Sequence, residues 1–176
     1  MNARLIPAIL FIACKETEKT PEVCVSTTQA RYSPLDSDEL LAFPDDFLST
    51  EDPDSPTGLR VNITEDVAPW VHSLPDIIQP ALEDIQSRSG FARLGNIVMR
   101  FTDEITNGVT DPAKSVSDSG IIWLDLSAVP PQRVHYQAFL GEEQDQLILE
   151  PLRPLQPGAE HAVFLTSSHK DSNGNC

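Results

Sequence analysis

Leu147 to Thr166 read LILEPLRPLQPGAEHAVFLT. Two apolar runs, Gln146 to Glu150 and His161 to Thr166, are short enough for strands. Between them stand Pro151, Pro154, Pro157 and Gly158. Proline fixes φ and lacks a backbone donor, so no helix carries one run into the other. Pro-Leu-Gln-Pro-Gly sets a fixed entry angle and a positive-φ exit, which turns the chain back.

Working outward, the period of two persists. Ile97-Val98-Met99-Arg100-Phe101 reads as a strand, as does Ile121 to Leu126 (IIWLDL), closed by Pro130-Pro131. Arg133 to Leu140 alternates, with Val134, Tyr136, Ala138 and Leu140 on one face. Asn107-Gly108, Asp111-Pro112 and Gly141 to Asp145 mark turns. Short strands punctuated by Gly and Pro imply an all-β architecture, a sandwich or a barrel, over residues 91–176. There is no internal repeat.

Residues 43–90 read as an irregular segment that packs on the sandwich. Leu59 to Ile63 alternates like a short strand, and STEDPDSPTG (Ser49 to Gly58) is a loop. One helix is expected over Asp76 to Ser87, with Ile77, Ile78, Ala81, Leu82 and Ile85 on a common face. Its regular part should begin near Pro80, where a first-turn proline is tolerated, and stop by Gly90. Residues 15–42 are polar and aperiodic, a tether with a short strand at Val23-Cys24-Val25.

The first fourteen residues, MNARLIPAILFIAC, join one positive charge, Arg4, to an apolar run ending Ala13-Cys14, after which the chain turns polar. These are the features of a secretory signal. The Ala-Cys junction resembles that of bacterial lipoproteins, which implies lipidation of Cys14 and a cell-envelope, outer-membrane, cell-surface or secreted location. The alternative is a buried element opening the domain, against which KETEKTP (Lys15 to Pro21) offers no apolar face to continue.

Asp and Glu number 27 against 12 Lys and Arg, a formal net charge of −15. A polyanion repels another, so nucleic acid is excluded as a partner class. Cys14, Cys24 and Cys176 form neither a disulfide framework nor a zinc motif. No apolar stretch of about 18 residues is present to span a bilayer.

The strand order and turn residues resemble the SbsA-type bacterial Ig-like domain over about residues 91–175. The carrying residues are IVMRFTDEI (Ile97 to Ile105), LILEPLRPLQPGAEHAVFLT and the turn Asp171-Ser172-Asn173-Gly174-Asn175. His161 stands where that family usually has tyrosine. Residues 43–105, with FPDDFLSTEDPDSPTGLRVNI and SGFARLGNIVMRF, resemble the N-terminal β-domain of bacterial virulence-factor lipases. The first resemblance implies an immunoglobulin-like antiparallel β-sandwich. It also implies one more strand after the Asp-Xaa-Xaa-Gly-Asn turn. The chain stops at Cys176, so a lacking last strand is expected, with Leu59 to Ile63 as the other candidate to fill the gap.

Chemistry is sparse. No Gly-Xaa-Ser-Xaa-Gly elbow is present, no glycine-rich phosphate loop, and His72, His135, His161 and His169 are scattered. No catalytic residue and no cofactor is expected. Hard cations want several oxygens together, which makes Asp52 and Asp54 (with Glu51) and Asp171 and Asn173 (with Asn175) calcium candidates. The plainer reading is a solvated loop and a tight turn, respectively. Trp70 and Trp123 are candidate ligand platforms, Trp123 being the better fit to a core. The sequence points to a non-catalytic Ig-like spacer or interaction module of a bacterial envelope lipoprotein or secreted protein. The alternatives are the accessory N-terminal domain of a secreted lipase or esterase, and an adhesin-like module for a carbohydrate or protein. The expected partner is the membrane, reached through the lipid.

Overall fold

Alternating apolar residues bury one face of a strand, and the first consequence of the pattern is two antiparallel sheets sharing one core. The computed structural model describes residues 28–33, 39–40, 42–106, 108 and 111–175. Strands β1 (Ala42–Phe43), β2 (Ser49–Glu51) and β3 (Leu59–Val61) precede the α-helix α1 (Gln79–Gln86). Strands β4 (Ile97–Arg100), β5 (Ile121–Asp125), β6 (Gln132–Arg133), β7 (Tyr136–Leu140), β8 (Gln146–Pro151) and β9 (His161–Leu165) follow. One sheet runs β1-β4-β8-β7, a second β6-β5-β9, and β2-β3 form a separate ribbon.

The inward rows meet in one cluster. Phe101, Ile105, Tyr136, Ala138, Leu147 and Leu149 come from the first sheet and its extensions, Ile121 and Trp123 from the second. Register places Met99 opposite Leu147 and Ala138 opposite Leu149 in one sheet, and Trp123 opposite Val163 in the other. The β8–β9 connection exits through Gly158 at φ +66°, as its Pro-Gly implied.

Arg133 to Leu140 is not one strand. Gln132–Arg133 pairs with β5 in the second sheet, while Tyr136–Leu140 pairs with β8 in the first. Val134 lies at the crossing, donating its N–H to the Trp123 carbonyl at 2.9 Å and packing on the cluster. The alternation survives because period two reports which face a side chain takes, not which strand it pairs with.

The segment before β4 has a core of its own: Leu48, Val61, Ile63, Ala68, Val71 and Leu82, with Phe43, Phe47, Trp70 and Phe91 packed on it. Strand β1 ties it to the first sheet. Phe43 sits opposite Val98 and meets the Phe91 ring edge-on at 5.3 Å. Leu59 to Ile63 fills no gap beside the larger sheets, because β3 pairs with β2.

The helix begins as expected, with Pro80 in its first turn, but its apolar face is not buried. Leu82 alone is buried, Ile77 is 84% exposed, and Ile78 and Ile85 are exposed. Ile77 and Ile78 belong to a 3-10 turn, Asp76–Ile78, whose three residues per turn break the phase that grouped them with Leu82.

The tether is corrected at residues 28–31. Arg31 donates its N–H to the Arg100 carbonyl at 2.8 Å, Thr102 donates to Gln29 at 2.9 Å, and Ala30 bridges Phe101. A polar sequence suffices for this edge because backbone groups, not side chains, make the pairing. The Val23–Val25 strand, and Cys14, Cys24 and Cys176, lie outside the described residues.

Candidate functional site

Asp52 and Asp54 follow β2 in the loop before β3. The Asp52 carboxylate accepts the Arg60 Nε–H at 2.5 Å and the Asp54 backbone N–H at 3.1 Å. The Arg60 guanidinium beside it, more than any other influence, holds its carboxyl below the usual range. Ser55, buried, donates to the Leu59 carbonyl at 2.6 Å and closes the loop from inside. Glu51 remains in the ribbon, opposite Leu59.

Asp171 is the organising residue of its turn. Its carboxylate accepts the N–H of Asn173 at 2.9 Å, the N–H of Asn175 at 2.7 Å and the Asn175 side-chain amide at 3.1 Å. Thr28 adds its hydroxyl at 3.4 Å, across 143 positions of sequence. Burial alone would raise this carboxyl, but the donors outweigh it and the net shift is downward. Asn173 contributes a backbone donor to this arrangement, and Gly174 takes φ +83°. Among the described residues, no three His, Cys, Asp or Glu side chains converge as a metal site would require.

A part-buried polar network that the sequence reading passed over joins the sheets. Asp118 accepts the N–H of Gly120 at 3.1 Å and of Ile121 at 3.0 Å, fixing the entry to β5. The Tyr136 hydroxyl lies 3.1 Å from Asp118 Oδ2 and 3.1 Å from the Ile121 carbonyl. Burial foremost, then the Asp118 charge, pushes the Tyr136 phenol far above its usual value, so it stays a donor. Ser115, fully buried, donates to Pro112 at 2.8 Å and receives the Tyr136 N–H at 3.2 Å. Arg133 Nη1 donates to the Asp118 carbonyl at 3.0 Å. The available signal was Asp118 placed two residues before Gly120, an Asx turn opening a strand.

The histidines are not brought together. The His72 ring rests on the Pro69 carbonyl, and His135 is exposed. His161 packs edge-on to Trp123 at 6.3 Å, and His169 lies 6.5 Å from the Phe101 ring. The ring nitrogens of both are buried without hydrogen-bond partners. Trp123 is a core residue at 0% exposure. Trp70 packs half-buried on the second cluster and, with Tyr32, Asp45 and Glu39, lines a cavity of about 20 Å³, room for a water. No described helix is long and apolar enough to cross a membrane. No family model, no curated protein and no solved structure matches the chain.

Proposed function

We propose that the chain is a non-catalytic, immunoglobulin-like β-sandwich module of a bacterial cell-envelope lipoprotein or secreted protein, acting as a spacer or interaction domain. The observation that carries the reading is where its polar side chains are spent. Asp52 and Asp118 each fasten a loop to a strand, Asp171 closes its own turn, and Tyr136 fastens one sheet to the other. A catalytic carboxylate or histidine needs a cleft and a partner that moves its proton. Here the carboxylates accept fixed backbone and side-chain donors instead.

Cys14 is the proposed lipid attachment. From Cys14 to Thr28 the chain spans at most roughly 50 Å when fully extended, enough to hold the domain off a bilayer surface. One acyl chain anchors weakly, so a lipoprotein needs several. In a bacterial host the full chain should sediment with membranes and take up a palmitate label at Cys14. Cys14→Ser should release it to the soluble fraction. Unchanged sedimentation of Cys14→Ser would refute the anchor.

A further inference from the structure

Strand β9 is the outer strand of the second sheet. Its ladder to β5 runs through alternate residues. Thr166 donates to the Gly120 carbonyl at 3.0 Å and Leu126 donates to Glu160 at 2.9 Å. The hydrogen-bonded pairs between them are therefore Ile122 with Phe164 and Leu124 with Ala162. His161, Val163 and Leu165 consequently direct their backbone N–H and C=O groups away from β5. Among the described residues nothing pairs with that edge.

Edge strands are normally protected by a charge, a proline, a bulge or a cover. His161–Leu165 contains no Pro, Gly, Lys, Arg, Asp or Glu, and the chain carries no acid from His161 to His169. In a protein of net charge −15, this acid-free edge is where another anionic copy can approach. Val163 and Leu165 pack on the core and His161 rests on Trp123, so the strand is held from within. Phe164 points outward and is 49% exposed.

We propose that β9 pairs antiparallel with β9 of a second copy of this chain, about a twofold axis at Val163. The two second sheets then join into one. Val163 meets the partner's Val163, and His161 meets the partner's Leu165, each pair exchanging both backbone bonds. Ala162 faces the partner's Phe164, closing an apolar seam on the outer side. Glu160 faces the partner's Thr166, so no like charges oppose each other across the seam. The contact is isologous, one patch meeting itself, and closes as a dimer. The net charge of each copy still repels at long range, so added salt tightens the dimer.

The test uses the full chain in a dilution series, read by sedimentation and by amide hydrogen exchange. The expected result is a dimer strengthened by salt, with the amides of His161, Val163 and Leu165 slow at high concentration and fast on dilution. Phe164→Lys, on the outward face, should weaken association by roughly tenfold or more while leaving the melting temperature close to that of the parent. A monomer at every concentration overturns the proposal. So does a dimer in which those three amides stay fast, since it uses another surface. Amides slow at every dilution also overturn it, because another segment of the same chain then covers the edge.

Discussion

Tyr136→Phe isolates the bond that joins the two sheets. The ring is 1% exposed and packs 6.4 Å from Trp123, so removing one oxygen leaves the apolar packing in place. What is lost is the single hydroxyl proton shared between Asp118 Oδ2 and the Ile121 carbonyl, each at 3.1 Å. A hydrogen bond to a charged group contributes about 1.5–3 kcal/mol net. Asp118 keeps the Gly120 and Ile121 donors, and the Ile121 carbonyl keeps Arg133 at 3.4 Å. The cost should therefore fall in the lower half of that range, about 1.5–2 kcal/mol. For a chain of this size that corresponds to a fall in Tm of roughly 3–8 °C. Urea unfolding should show a lower midpoint with an unchanged m-value. Because the phenol is held protonated, the difference should be flat from neutral into mildly alkaline pH. A midpoint equal to the parent's would refute the reasoning, as would a loss confined to alkaline pH.

His169 gives a pH dependence of definite sign. Burial foremost depresses its pKa below 6.5, partly opposed by the Asp118 carboxylate, so the fold favours the neutral ring. That contribution is complete above the unfolded value of 6.5 and is lost as pH falls through the depressed folded value. His169→Leu should flatten this limb of the stability curve, and an unchanged slope would assign it elsewhere. Asp171, with its lowered pKa, stabilises above the ordinary value of 3.8, and that stability is lost as pH falls below it. Asp171→Ala should also speed hydrogen exchange at Arg31 and Thr102, whose bonds hold residues 28–31 on the first sheet. Unchanged exchange there would mean that the backbone pairing needs no help from the turn.

Side-chain alternation made the strands legible. The runs at Ile97, Ile121, Gln146 and His161 all became strands, with ends displaced by a residue at most. Partner choice was not legible. Arg133 to Leu140 looks continuous because crossing from one sheet to the other does not disturb the inward–outward rhythm. Leu59 to Ile63 carried a strand pattern but no indication that Ser49–Glu51 would take it. Residues 28–31 were hidden for the opposite reason: their pairing is made by backbone atoms, which no side-chain pattern reports. The helix misled because its 3.6 period was extended backwards over Ile77 and Ile78, where the chain winds more tightly. At the candidate site, acidic spacing identified Asp52 and Asp171 as places where oxygens gather. Only geometry showed that the guests are Arg60, backbone amides and Thr28. Asp118 and Tyr136 escaped notice because they lie 18 positions apart and meet only when the sheets stack.

The proposed envelope anchoring rests on Cys14, and the intact mass of membrane-extracted protein tests it most directly. The account predicts a chain that begins at Cys14, lacks the first thirteen residues, and carries a diacylglyceryl group on the sulfur. A mass equal to the unprocessed 176-residue chain, or a processed chain with an unmodified Cys14, would contradict it.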